Sequence, residues 1–216
     1  MLIDLHAHEY LYSPCSGMSL REAVEAARNA GLDALCITDH GSMDIRKREA
    51  ALLRNIGFPV FIGVEMYTRQ GDVIAFGLDS LPPAMPTSQE FADFVAARNG
   101  FCFAAHPFRS FGGGLGDALY AMRNLNGVEV LNGADSEYEN GLAVRACREL
   151  GLIPVAGSDA HRPEDVGRCA TWFPDAVASE WELTAALRAG KGRPAVRGRN
   201  GAWHRLAYPM QGGDEL

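Results

Sequence analysis

No apolar run in this sequence approaches the roughly 20 residues that a membrane-spanning helix requires. The N-terminus has neither the basic nor the apolar region of a secretory leader, so the expectation is a cytoplasmic protein without membrane association. Cysteine is sparse: Cys15, Cys36, Cys102, Cys147 and Cys169 are widely spaced and include no Cys-x-x-Cys pair, which excludes a disulfide framework. Positive charge is also in deficit. A net charge of −7 supplies no overall basic field for a long nucleic acid, so no stable duplex is expected as a partner. A local basic rim around an acidic site is still compatible with it, and a small substrate is the default. Low-complexity segments and sequence repeats are absent as well.

What is present is a chain of 216 residues, 47% hydrophobic and 22% charged, enough for one sizeable core and one domain. Its first stretch, Leu2 to His8, reads as a short buried strand. Side chains alternate along a strand, so Asp4, His6 and His8 are expected on one face. Taken alone, this His-x-His is either a pair of hydrogen-bonded strand histidines or half of a metal site.

Further along, Ser19 and Glu22 form a capping box for a helix to about Asn29. Ala34 to Thr38 is an apolar strand that stops at Asp39-His40. A helix over about 44–55 leads to the strand 60–64, which stops at Glu65. Gly71-Asp72 is a turn into a strand from Val73 to Leu78, and a helix from about Ser88 to Arg98 follows. The strand Phe101 to Ala105 stops at His106, before a glycine-rich loop over 110–116 and a helix to about Asn124. The strand Val128 to Asn132 and a helix from about Glu139 to Leu150 lead to the strand Ile153 to Gly157, which stops at Ser158-Asp159-Ala160-His161. A strand over 170–173, a helix over 179–189, a short strand over 195–197 and a polar tail complete the chain.

Apolar strands alternating with amphipathic helices argue for an α/β fold of parallel strands with helical crossovers, and about seven such units fit a closed or nearly closed barrel of TIM type. An open doubly wound sheet is the alternative. The barrel is expected over residues 1–197, with 198–216 as a C-terminal tail. In a barrel the C-terminal strand ends meet at one mouth, which would gather His6, His8, His40, Glu65, His106, Asp159 and His161. His204, in the tail, is expected to be solvated. Imidazoles with two carboxylates and no paired thiolates suit Zn²⁺, Mn²⁺ or Fe²⁺, not calcium or an iron–sulfur cluster. The set is too large for one ion and fits two or three divalent metals, a centre suited to hydrolysing an ester or amide.

The motifs Asp4-Leu5-His6-Ala7-His8, Thr38-Asp39-His40, Gly63-Val64-Glu65, His106-Pro107 and Ser158-Asp159-Ala160-His161 resemble, in order and spacing, the PHP (polymerase and histidinol phosphatase) family. The resemblance covers about Met1 to Val196. It implies a distorted (β/α)₇ barrel with a trinuclear centre that hydrolyses phosphoesters through a hydroxide bridging two ions. It further implies that His6, His8, Glu65 and Asp159 hold one metal, that Glu65 bridges to a second held with His106, and that His40 and His161 hold a third. Some members carry a further ligand after the first strand, where this chain has Ser13, Cys15 and Ser16. His161, when not committed to metal, could act as general acid to the leaving group. Arg109 is the candidate phosphate clamp against a plain solvated loop arginine, with Arg162 and the run Arg46-Lys47-Arg48 as weaker candidates. Asp4 and Asp39 could orient ligands, Asp39 being otherwise a turn residue.

The expected substrate is a small phosphorylated metabolite or a nucleotide. A metal-dependent C–N hydrolase of amidohydrolase type is the first alternative, weakened because no lysine ends a strand. A non-catalytic, metal-stabilised accessory module is the second. Oligomeric state is open.

Overall fold

The computed structural model describes residues 1–206, and their strands form two mixed sheets. The chain begins with β1 (Leu2–Asp4), and the capping box of Ser19 and Glu22 starts α1 (Leu20–Asn29) as expected. Next come β2 (Ala34–Ile37), two short helices α2 (Ile45–Arg48) and α3 (Ala50–Asn55), β3 (Val60–Ile62) and β4 (Val64–Tyr67). Then follow β5 (Asp72–Phe76), α4 (Ser88–Ala96), β6 (Phe101–Ala104), a 3₁₀ segment at Gly116–Ala121 and β7 (Gly127–Asn132). The last elements are α5 (Glu137–Leu150), β8 (Ile153–Gly157), β9 (Cys169–Trp172), α6 (Glu180–Arg188), β10 (Arg193–Arg197) and β11 (Trp203–Arg205).

One sheet has the order β11-β10-β9-β1-β2-β3, the other β4-β5-β6-β7-β8. The α/β class stands, but the all-parallel closed barrel does not. Only β1, β2 and β3 in the first sheet and β6, β7 and β8 in the second run parallel to one another. Pairings β1–β9, β9–β10, β10–β11, β4–β5 and β5–β6 are antiparallel. The physical reason lies in the connections. The five residues from Thr68 to the start of β5 leave room for a hairpin and not for a helical crossover, so β5 must return antiparallel. Isolated parallel bridges, Ala7 to Ala160 and His40 to Glu65, join the two sheets at the ends that carry the candidate ligands.

The expected strand over 60–64 passes from one sheet to the other at Gly63. A Cβ there would lie 2.5 Å from the Phe76 ring and 2.9 Å from the Ala75 carbonyl oxygen, so the crossing requires glycine. Glu65 consequently sits inside β4 rather than at a strand stop. The single helix expected over 44–55 is broken at Glu49, and the helix expected to reach Asn124 is replaced by the short 3₁₀ segment beside the glycine-rich loop. From the expected tail, Trp203–Arg205 adds an edge strand to β10, and His204 is exposed as expected.

The two sheets share a core. Ile3, Leu5 and Phe61 of the first pack with Ile74, Phe76, Phe101, Phe103 and Val155 of the second, closed off by Leu183 and Leu187 of α6. Fully burying each such large side chain stabilises by roughly 1.5–3 kcal/mol. Helices α4 and α5 cover the outer face of the second sheet, and α1 covers that of the first through Ala23, Val24 and Ala27. Cys36 and Cys102 lie in this core, as expected of small hydrophobes. Among the described residues no helix is long and apolar enough to cross a membrane.

Candidate metal centre

The strand ends of β1, β2 and β8, with β4 and the residues after β6, bring the expected ligands into one volume. His6 and His8 are fully buried, and their Nε2 atoms lie 3.0 Å apart. Two carboxylate oxygens complete the group. Glu65 Oε2 is 3.5 Å from His6 Nε2 and 3.2 Å from His8 Nε2, and Asp159 Oδ1 is 3.2 and 3.3 Å from the same atoms. Glu65 reaches two further imidazoles, His40 Nδ1 at 3.0 Å through Oε2 and His106 Nε2 at 2.9 Å through Oε1. His161 lies at the open side, its Nδ1 donating to the Asp159 carbonyl oxygen at 2.9 Å and its ring 4.4 Å from that of His8. All seven expected ligands are therefore brought together.

Close approach of β8 to β1 depends on Gly157, where a Cβ would meet the His6 Cβ at 2.5 Å. Strain is also concentrated here. Among the described residues four non-glycines have positive φ, and two of them are candidate ligands, His106 at 28° and Asp159 at 55°. Such conformations cost on the order of 1–3 kcal/mol each and persist where the surroundings hold them.

Buried carboxylates and one amide support the ligands from behind. Glu129, buried in the middle of β7, accepts from His6 Nδ1 at 3.0 Å, from the His106 backbone N–H at 2.9 Å and from Asn132 Nδ2 at 2.9 Å. The sequence reading passed over it, although a carboxylate between two valines of a buried strand is affordable only when hydrogen-bonded. Asn132 Oδ1 and the Asp159 Oδ2 both accept from Arg109 Nη2, at 3.0 and 2.6 Å, while Arg109 Nε donates to Asp135 Oδ1 at 2.7 Å. The expected phosphate clamp thus already grips two protein carboxylates. Asp39 is buried and no mere turn residue; it accepts from the Glu9 N–H and from Ser13 Oγ. Asp4 accepts from the backbone N–H groups of His6, Ser158 and Gly167, stapling β1 to the loop after β8 rather than touching a ligand ring.

Of the residues that could have supplied an extra ligand after β1, Ser16 Oγ donates to the carbonyl oxygens of His8 and His161, Ser13 is bonded within the cluster, and Cys15 is exposed. The weaker basic candidates lie elsewhere: Arg46 pairs with Glu180, and Arg162 pairs with Asp165 on the surface. A second acid was missed. Asp72, at the start of β5, offers an oxygen within 4.8 Å of a Glu65 oxygen and a His106 ring nitrogen, and the sequence marks it only as a turn residue.

The electrostatics ask for positive charge at the centre. Burial opposes protonation of His6 and His8, yet the surrounding carboxylates raise His6 well above the usual imidazole range and His8 to about 9. Burial would raise Glu65 and Asp159, but the adjacent imidazoles hold both well below the carboxylate range. Asp72, pushed up to about 7 by burial and then by the Glu65 charge, behaves as an acid beside another acid. Protons meet this demand poorly, because two ring nitrogens 3.0 Å apart cannot both point hydrogens at each other. Glu65 Oε2 and His40 Nδ1, 3.0 Å apart in the cluster, are buried and make no hydrogen bond of good geometry. Nitrogen and carboxylate donors left unpaired around one point fit a divalent transition cation.

A buried histidine and carboxylate cluster at the joined ends of two sheets defines a candidate metal centre. The family is equally clear: the PHP domain model matches residues 4–140 and the PHP-associated model matches residues 137–191, and the chain belongs to the PHP family. An uncharacterized protein of Methanocaldococcus jannaschii is 29% identical over 141 residues, which cover 61% of this chain and 82% of that protein. Among solved structures, the chain is similar to a two-domain protein of Bacteroides vulgatus described as containing a predicted PHP-like metal-dependent phosphoesterase. The TM-score is 0.68 at 21% identity, over 90% of this chain and 64% of that one. It is also similar to an amidohydrolase of Chromobacterium violaceum described with bound sulfate, with a TM-score of 0.62 at 18% identity, over 86% of this chain and 96% of that one. At such identities the two structures speak for the fold.

Proposed function

We infer that this PHP protein is a metal-dependent phosphoesterase acting on a small phosphorylated metabolite or nucleotide. The observation that carries the reading is the convergence of His6, His8, Glu65 and Asp159 on one point, with a buried Glu65 oxygen left unbonded there. These four would hold one cation. Glu65 would be shared with a second held by His106, with Asp72 beside it, and His40 and His161 stand where a third would bind. Mn²⁺, Zn²⁺ or Fe²⁺ suits such donors, and bound there would supply Lewis acidity toward phosphoryl oxygens and a nucleophile at neutral pH.

The chain's own residues have distinct tasks. Arg109 holds Asp159 through Oδ2, which turns Oδ1 toward His6 and His8. Glu129 fixes the far nitrogen of His6, so that Nε2 is the atom presented to the centre. His161, with its Nδ1 on the Asp159 carbonyl oxygen, would use Nε2 either as a ligand or to protonate a leaving alkoxide. The amidohydrolase alternative gains no lysine at a strand end: the chain's two lysines are Lys47 in α2 and Lys191, which follows α6 and pairs with Asp175.

The test is to strip the protein with a chelator, reload it with Mn²⁺, Zn²⁺ or Fe²⁺ and screen a broad phosphoester panel. Metal-restored hydrolysis that Glu65→Gln abolishes is the expected result. A fully metallated protein inert on phosphoesters overturns the reading.

A further inference from the structure

The two inner histidines are held differently. His6 has a carboxylate behind it, whereas His8 Nδ1 lies 3.1 Å from a neutral hydroxyl, Ser13 Oγ. That hydroxyl is fully buried, and all its capacity is in use. Its one proton goes to Asp39 Oδ1 at 2.8 Å, and it accepts from the His40 backbone N–H at 3.2 Å. A serine has a single hydroxyl proton, so toward His8 it can only accept, and the hydrogen in that contact must sit on His8 Nδ1.

We propose that Ser13 is the positioning residue of the centre: anchored by Asp39, it fixes the proton of His8 on Nδ1 and so makes Nε2 the only nitrogen His8 can offer a metal. The inference rests on the reading of this cluster as a metal centre. It also gives Asp39 its task, because the carboxylate takes the Ser13 proton and leaves the oxygen a pure acceptor. Ser13 cannot then serve as a ligand itself, since both lone pairs are engaged by His8 and His40. The outer histidines His40 and His161 receive no ligand from the loop through Ser13. The same hydroxyl ties the loop after β1 to the start of the segment after β2, which sets the position of His40 relative to His8, their rings stacked at 4.5 Å.

Two measurements test this. In zinc-loaded wild-type protein, the ¹⁵N resonances of the His8 ring should show a protonated Nδ1 and a zinc-bound Nε2. Coordination through Nδ1 overturns the proposal without any variant. Chelator competition with Zn²⁺ then compares wild type, Ser13→Ala and Ser13→Thr. Loss of the partner behind a metal-bound histidine typically weakens metal binding roughly 10–100-fold. Ser13→Ala should fall in that range and lose the slowly exchanging His8 Nδ1 proton, while Ser13→Thr, which keeps the hydroxyl, recovers most of the affinity. Wild-type affinity and an unchanged His8 spectrum in a folded Ser13→Ala protein overturn the proposal and leave the metal centre standing. A wild-type protein that takes up no zinc overturns both.

Discussion

The inner and outer halves of the cluster are built by different rules. Inside, the side chains of His6, His8, Glu65 and Asp159 are 0%, 0%, 1% and 3% exposed, and each imidazole has a second bond to Glu129 or Ser13. Outside, His40 and His161 are 12% and 29% exposed. His161 is held by a backbone carbonyl, and the His40 ring lies against Tyr67, itself exposed at the mouth. Donors locked before a ligand arrives bind tightly because little ordering remains to be done. Donors at an open edge can exchange between metal, water and substrate. The inner half therefore reads as a permanent metal site and the outer half as the working face.

Glu65→Gln should break this comparison altogether. Its carboxylate faces four imidazoles, His6, His8, His40 and His106, so removing its charge undoes both halves at once. Loss of bound transition metal with a drop in kcat/KM of about 10³-fold or more is expected, since metal stabilisation of the transition state is worth several kcal/mol. Elemental analysis beside kinetics checks it, and a variant with full metal content would refute the central role.

Next in size, His161→Gln should separate the halves. Inner metal content should persist while kcat falls about 10²-fold, the lower end of what a positioned proton donor contributes. The loss should shrink with better leaving groups. Parallel loss of the inner metal would mean that the two halves are one site. Glu129→Gln should act in the opposite sense, weakening inner metal affinity roughly 10–100-fold through His6 with the outer residues in place. Competition with a calibrated chelator reads the difference.

How much of this was legible beforehand follows from what a pattern can carry. Histidines that stop apolar strands are visible one by one, because the strand period and the polar stop are local features, and all seven expected ligands do converge. The direction of a strand is not local. β5 and β9 looked like the other apolar runs, yet a tight hairpin in one case and the tertiary pairing of β9 with β1 in the other made them antiparallel. Supporting residues were harder still. Glu129 lies inside a strand and Asp72 at the start of one, not at the polar stop where a strand ends, and what recruits each is a contact across more than 20 residues of sequence. Arg109 was singled out for its charge, but its partners Asp135 and Asp159 come from two other segments, so the sequence could not tell a grip on phosphate from a grip on protein.

The smallest expected effect is also the one that best sharpens the contrast. In the metal-free protein the surrounding carboxylates push His8 up to about 9 and His6 above the ordinary imidazole range, so at neutral pH the pair shares a proton between its facing Nε2 atoms that a metal must displace. His161 is pushed the other way, by burial and then by the positive His8, so at neutral pH its protonated, acid form is the minor one. The sign follows: lowering the pH stabilises the metal-free form, so apparent metal affinity should rise with pH toward about 9. Between roughly pH 6 and 8 the inner site should gain up to about tenfold in affinity per pH unit for each proton displaced, and metal uptake by the outer pair should gain less through His161. Calorimetric titration in two buffers of different ionisation enthalpy counts the protons directly. A proton release of at least one per inner metal, unchanged in His161→Gln, places the linkage in the buried half. Zero release would mean that the buried nitrogens stand unprotonated in the metal-free protein, and that the carboxylates around them raise the imidazoles far less than their distances require.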